Sequence, residues 1–371
     1  MRLGYQDGPW TAAVIPRTSP QLWVMPRITV VTSHPPLSHG GHLVIAQSLE
    51  QALREAGHEV AVLYTPEAGF SALASVYWST YLTDMRRTHG GRQVDQVITT
   101  RFPSYAVRHA RHVCWLTHRM REYYDRWEEF RARLSWRNKI RYEMHRRVLH
   151  GVDRYLLTRN VERVFALSKT VQARLTRWGS VPSEVVYPPP PQRPYRCDCY
   201  DDYLFVVSRL TPLKRIGLII EALAQPAAAG VRCLIAGDGE QAAILRDRIE
   251  HFGMADRVTL LGRVSDAAVL DYLARCRAVC FPPVSEDYGF VTVEAFASGK
   301  AVITCTDSGG PAELVESGVN GLVCAPTPFA LANAIRTMMS DVELAQRYGA
   351  AAQTVAGTLT WEETVGRLVV V

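Results

Sequence analysis

The sequence predicts an α/β protein of two doubly wound domains, each a parallel sheet covered by helices, facing each other across a cleft. Three observations carry this. The chain has 371 residues, too many for one ordinary core and enough for two. Short apolar, β-rich runs alternate with helix-like segments, the pattern of parallel sheets. A proline-rich stretch interrupts the series midway.

The elements follow in order. Residues 1–24 mix Pro, Gly, Asp and Arg without the basic start and apolar middle of a secretory signal, so we read them as an extension outside the fold, with Met25 a candidate start. A first domain is expected over residues 25–190, with strands at Arg27 to Ser33, Glu59 to Thr65, Gln96 to Thr100, His112 to Leu116, Arg163 to Leu167 and Glu184 to Tyr187. Proline removes donors and fixes an extended backbone, so Tyr187-Pro188-Pro189-Pro190-Pro191-Gln192-Arg193-Pro194 marks the boundary and residues 191–202 a linker. The second domain, over 203–350, has strands at Tyr203 to Ser208, Arg232 to Ala236, Arg257 to Leu261, Ala278 to Phe281, Ala301 to Thr304 and Gly321 to Val323. The chain is helix-forming from about Phe329, and residues 351–371 are expected to cross back as a helix onto the first domain. Ligands of open parallel sheets bind beyond the carboxyl ends of the strands, which here face the cleft.

Composition narrows the function. Apolar residues make up 47% and charged residues 21%, the profile of a globular chain. No apolar stretch approaches the roughly 20 residues of a membrane span. A formal charge of +6 is too mild to indicate a nucleic-acid partner and suits a protein that handles phosphates or touches an anionic membrane. Of eight cysteines only Cys197 and Cys199 are close, at a spacing that is neither a zinc nor a redox motif, so reduced thiols in a cytoplasm are expected. No carboxylate pair at a strand end reads as an Asp-x-Asp metal site, and neither a metal nor a cofactor is expected.

The first strand leads into His34-Pro35-Pro36-Leu37-Ser38-His39-Gly40-Gly41-His42, which is not the Gly-x-Gly-x-x-Gly dinucleotide turn, and no P-loop occurs. A dehydrogenase and a P-loop nucleotidase are therefore unsupported. Gly40-Gly41 does precede a helix starting near His42, where two glycines permit close backbone approach and free N–H groups meet an anion. The second domain opens with a strand ending on Arg209, then presents Lys214 five residues later. A guanidinium fork and an ammonium at that edge can share the oxygens of a diphosphate, and the same pair stabilises a diphosphate as it departs. Glu286 lies in the loop beyond a later strand, and Glu294 eight residues on, inside a helix whose first turn is near Gly289. The two carboxylates bracket a helix N-terminus, one suited to sugar hydroxyls and the other to a ribose, with phosphates over the amides between.

Glu286 and Glu294, with Tyr288-Gly289-Phe290 between them and Ser308-Gly309-Gly310 after, resemble the Glu-x7-Glu signature of glycosyltransferase family 4, whose fold is GT-B. Arg209 and Lys214 sit where that family has its diphosphate-binding arginine and lysine. Gly237-Asp238-Gly239-Glu240 and Leu261-Gly262-Arg263-Val264 match two further segments, and the resemblance runs from about residue 26 to the C-terminus. It implies a retaining, metal-independent transfer from a nucleotide-diphosphate sugar to a hydroxyl acceptor. Glu294 would bind the donor ribose and Glu286 the transferred sugar. Amides at Tyr288, Gly289, Phe290 and Val291 would contact sugar and phosphate, Gly41 would approach the diphosphate from the other domain, and Gly262 to Val264 would border the base. The wording Glu-Asp-Tyr-Gly replaces the commoner Glu-Gly-Phe-Gly, which leaves Tyr288 room for a different preference at the sugar.

In the first domain Cys114-Trp115-Leu116-Thr117-His118-Arg119-Met120 resembles the acceptor-side histidine segment of a bacterial subgroup of that family. His118, at a strand end, would touch the donor sugar or the acceptor hydroxyl. Asp125, seven residues on, is placed on the same side of a helix as a second acceptor-side candidate. Between Arg119 and Arg147, ten Lys or Arg stand against five Asp or Glu, interleaved with Trp127, Phe130, Trp136 and Tyr142. We read this as a solvated helical pair whose aromatics face the core, with peripheral contact to an anionic membrane as the alternative. Two rival functions remain open: a nucleotide-sugar epimerase or phosphorylase of the same fold, and a non-catalytic nucleotide-sugar-binding partner. The second has no need for all of Arg209, Lys214, Glu286 and Glu294.

Overall fold

The computed structural model describes residues 25–34, 41–66, 72–88 and 90–371; the extension 1–24 and Gly40 lie outside them. The first sheet comprises β1 (Arg27–His34), β2 (Glu59–Pro66), β3 (Gln96–Thr99), β4 (His112–Leu116), β5 (Arg163–Ala166) and β6 (Glu184–Val185). The second comprises β7 (Leu204–Val207), β8 (Cys233–Ala236), β9 (Val258–Gly262), β10 (Ala278–Cys280), β11 (Val302–Cys305) and β12 (Gly321–Cys324). Every strand lies within two residues of its expected bounds. The strands β3, β4 and β11 are buried along their whole length, which is why they read as continuous apolar runs rather than alternating ones.

All pairings between these strands are parallel. The order is β2-β1-β3-β4-β5-β6 in one sheet and β12-β11-β10-β7-β8-β9 in the other. Counted from β7, the second is the doubly wound 3-2-1-4-5-6 order, and its reversal falls between β7 and β10.

Helices α1 (Gly41–Glu55), α2 (Leu73–Leu82), α3 (Trp127–Ala132), α4 (Trp136–Tyr155) and α5 (Lys169–Arg177) belong to the first domain. In the second are α6 (Ile216–Leu223), α7 (Ala242–His251), α8 (Asp266–Arg275), α9 (Phe290–Ala297), α10 (Gly310–Leu314), α11 (Pro328–Ser340) and α12 (Val342–Thr358). Asp153 anchors α4: its carboxylate is buried and accepts hydrogen bonds from the hydroxyls of Tyr77, Tyr105 and Tyr124. A buried charge is tolerated only when hydrogen-bonded in this way.

The chain returns to the first domain later than 351, because α12 still packs Ala345, Ala352 and Ala356 into the second domain's cores. The return is made by α13 (Trp361–Leu368), which lies against α1. Gln96 Nε2 donates to the Leu368 carbonyl at 2.7 Å, Trp361 Nε1 donates to the Pro190 carbonyl at 3.1 Å, and the Trp361 ring stands edge-on to Trp115.

Candidate functional site

Backbone packing sets the two key loops of the second domain. After β7, the Leu210 amide donates to the Asp238 carbonyl at 2.9 Å, and a Cβ on Gly237 would stand 1.8 Å from the Ser208 carbonyl oxygen, so only glycine lets the loops meet. Arg209 is left exposed, its guanidinium without an ion pair or hydrogen bond among the described residues. After β10, the Glu286 amide donates to the Ser308 carbonyl and the Gly310 amide to the Glu286 carbonyl. Gly309, at φ +71°, cannot carry a side chain there, since its Cβ would lie 2.4 Å from the Glu286 carbonyl oxygen. The loops after β7 and β10 therefore converge over the strand-order reversal, where Lys214 Nζ meets Glu286 Oε1 at 2.7 Å.

The helix α9 begins beside this pair, with Gly289 at its N-cap and no side-chain cap on its first turn. Gly41, the first residue of α1, approaches it from the other domain: a Cβ there would lie 3.4 Å from Phe290 Cδ2. Two helix N-termini with their partial positive charge thus approach each other at Phe290. Gly262 ends β9 and Val264 follows it at the same sheet edge, and the Gly262 carbonyl accepts from the Gly237 amide at 2.8 Å. Val291 is half-buried in the first turn of α9.

Glu294 is buried, which raises its pKa above the ordinary carboxylate value. Its Oε1 accepts from Arg193 Nη1 at 3.2 Å and from the Tyr195 hydroxyl at 3.3 Å, both from the linker, and Arg193 also pairs with Asp266. Tyr288 corrects an expectation: its side chain is buried in the core between the domains, with the hydroxyl on the Pro188 carbonyl, so the ring is not free to set a ligand preference.

The first-domain wall is a charged cluster. Arg121 and Arg174 both donate to the Ser285 carbonyl, at 3.0 and 2.7 Å, and both pair with Asp287. Ser285 has φ +46°, unusual for a non-glycine residue, and the two guanidiniums offset the cost of holding it there. Burial opposes ionisation of Asp287, but Arg121 and Arg174 outweigh it and hold its carboxyl below the ordinary range. Ser168 Oγ donates to the Asp287 carbonyl, and Glu313 accepts from the Lys169 and Thr170 amides at the start of α5.

His118 lies two residues past β4. Its Nδ1 donates to the Arg119 carbonyl at 2.7 Å, which leaves Nε2 as an acceptor. Burial, helped by the Arg101 guanidinium, pushes its pKa down to about 4, so the ring is neutral at neutral pH. Asp125 does not share a helix with His118; it sits in the turn before α3, bound by Arg121 Nε at 2.9 Å. Asp125 Oδ1 is buried without a hydrogen bond among the described residues. Both residues line a cavity of 10 Å³ with Arg121, Tyr124 and Arg174. A groove of about 1310 Å³ lies elsewhere, lined by Asp95, Arg111 and Glu162 just before β3, β4 and β5, at the sheet edge opposite the loops above.

The fold thus brings together Lys214 with Glu286 and Gly41 with Phe290. Sequence reasoning missed Arg121, Arg174, Asp287, Arg193 and Tyr195. Asp287 adjoins Glu286, and Arg193 and Tyr195 follow the proline run, so position gave a signal for these three. Arg121 was submerged in a basic segment, and Arg174 has no local signature at all.

Residues 199–355 match the family model described as Glycosyl transferases group 1. A segment covering 38% of the chain is 35% identical to the exopolysaccharide phosphotransferase of Streptomyces coelicolor, and one covering 36% is 33% identical to the glycogen synthase of Mycobacterium tuberculosis. These matches span 15% and 32% of those relatives' own lengths. Among solved structures, sucrose-phosphate synthase of Thermosynechococcus elongatus superposes with a TM-score of 0.73 at 18% identity, covering 93% of this chain and 98% of that one. HepE of Anabaena in complex with UDP-glucose gives 0.61 at 21% identity, covering 92% and 100%. The fold is that of the GT-B glycosyltransferases. The family match falls on the second domain.

Proposed function

We propose that the protein is a retaining, metal-independent family 4 glycosyltransferase that moves a hexose-type sugar from a nucleotide-diphosphate sugar to a hydroxyl acceptor: a glycan, a lipid-linked glycan or a small metabolite. The observation that carries this reading is the Lys214–Glu286 pair over the strand-order reversal, with the uncapped start of α9 beside it and Arg209, at the end of the strand before Lys214, unpaired among the described residues. The diphosphate lies on Arg209, Lys214 and the amides of Gly289 to Val291, with Gly41 closing from the first domain. Glu286 takes sugar hydroxyls and Glu294 the ribose, while Gly262 to Val264 border the base. HepE was solved with UDP-glucose, which makes UDP-sugars the first donors to try.

In the transfer, the bond from the anomeric carbon to the diphosphate oxygen breaks and the acceptor oxygen bonds that carbon on the same face. The acceptor proton passes to the departing phosphate oxygen. Arg209, Lys214 and the helix N-termini stabilise the charge that develops there, so no strong base is required. The Nε2 of His118 accepts a hydrogen bond from a sugar or acceptor hydroxyl, and Asp125 lies on the same wall. The reaction belongs to the cytoplasmic side of a cell and uses neither metal nor nucleic acid.

The test is a panel of UDP-, GDP-, ADP- and dTDP-sugars, read by thermal shift and by slow donor hydrolysis, with Arg209→Ala and Glu294→Gln alongside the native protein. One donor should stabilise the protein and turn over, with both effects lost in the variants. Stabilisation without turnover, in the presence of a broad set of hydroxyl acceptors, would support a non-catalytic binding partner. Recovery of an epimerised donor would support the epimerase.

A further inference from the structure

Helix α4 carries a surface that the transferase reading leaves unused. Its buried side is fixed by Leu149, by Asp153 under three tyrosine hydroxyls, and by Tyr142 packed on the core. The opposite side corrects the reading that the aromatics here face inward: Trp127 does, but Trp136 is exposed. Trp136, Ile140, Met144 and Val148 are 68, 59, 65 and 68% exposed. Single exposed apolar side chains are ordinary, whereas four at successive four-residue steps form a continuous ridge.

At about 100° per residue, these four fall on one arc of α4 with Arg137, Arg141, Arg147 and Arg154, all exposed, and that arc holds no carboxylate. The nearest, Glu143, is half-buried at its edge and engaged by Arg146 and Arg147 at 3.7 and 3.5 Å. The Arg137 guanidinium lies 5.2 Å from the centre of the Trp136 ring.

We propose that this face of α4 docks on an anionic lipid bilayer, with the apolar ridge in the headgroup–acyl boundary and the arginines on the lipid phosphates. Charge decides the occupant. A two-fold contact with a second copy would set these arginines against their own equivalents, with only Glu143 at the edge of the arc, beside Arg147, to pair any of them. An anionic lipid surface answers every one of them. The turn holding Arg121 and Asp125 leads through α3 directly into α4, so docking brings the first-domain wall of the cleft toward the bilayer.

The full chain should float with vesicles of phosphatidylglycerol and phosphatidylcholine, bind less as salt rises, and leave vesicles of phosphatidylcholine alone. The triple change Trp136→Ser, Ile140→Ser, Met144→Ser should weaken binding about tenfold or more, and Arg137→Gln with Arg141→Gln and Arg147→Gln should flatten the salt dependence. Unchanged thermal unfolding of both variants shows that the fold is kept. The proposal is overturned if the native chain ignores anionic vesicles, if the triple change binds them equally, or if light scattering shows a native dimer that the triple change makes monomeric while vesicles go unbound. Binding is read without turnover, so this result is independent of the donor panel.

Discussion

The two walls of the cleft are built differently. The second-domain wall consists of loops that directly follow strands, so Arg209 and Lys214 stand five residues apart and Glu286 and Glu294 eight, with glycines where backbones must touch. The first-domain wall is assembled from His118, Arg121 and Asp125 on one loop and Arg174 on α5, and its guanidiniums grip the backbone and side chain of the opposite loop. One wall exposes to solvent a cation, Arg209, that has no partner among the described residues; the other spends its cations on the protein itself. The difference separates groups poised for a ligand from groups that shape the site, and it can be tested.

The largest expected effect on activity is at Arg209. Removing a charge-stabilising donor costs about 10² to 10³-fold in kcat, and because Arg209 has no partner among the described residues, Arg209→Ala should leave unfolding within about 0.5 kcal/mol of native. A matching loss of stability would break the comparison. On the other wall the larger effect should be on folding: Asp287→Ala leaves Arg121 and Arg174 to share Asp125 as their one remaining carboxylate and should destabilise by about 3 kcal/mol, seen in denaturant unfolding.

The pH dependence sharpens the same contrast. The Asp287 carboxyl is depressed when folded, so its contribution is complete above the ordinary carboxylate range and fades as pH falls toward the folded value. Asp287→Asn should remove that part of the acid limb. His118 acts in a higher window: between pH 6.5 and about 4 the unfolded chain takes up a proton that the folded ring refuses, so stability falls as pH drops through it. His118→Gln should make this stretch shallower. The smallest effect is expected at Tyr195, whose hydroxyl is one of two donors on Glu294; Tyr195→Phe should raise the donor KM by about fivefold with kcat little changed, in line with one hydrogen bond of about 1 kcal/mol.

Legibility in the sequence followed the same division. The parallel strands were readable because burial on both faces leaves continuous apolar runs, as in His112–Leu116. The Glu286 loop was readable because a turn, a helix start and a glycine pair occupy one contiguous stretch. Arg174 was not, since it meets Ser285 only through the packing of α5 against a loop more than a hundred positions away. Tyr288 misled for a related reason: its place in the motif faces the site, but its ring turns into the core between the domains.

By itself, then, the sequence determined the two sheets, their boundary and the cationic and acidic residues of the second-domain loops, because periodicity, proline and glycine act over a few residues. Only the tertiary structure decided that the return to the first domain waits for α13 and that Glu294 is shared with Arg193 and Tyr195. It also decided that Asp125 pairs with Arg121 and that α4 turns an arginine-flanked apolar ridge to solvent. Each depends on which faces of distant segments are buried against one another, and that is set by the summed packing of the whole chain.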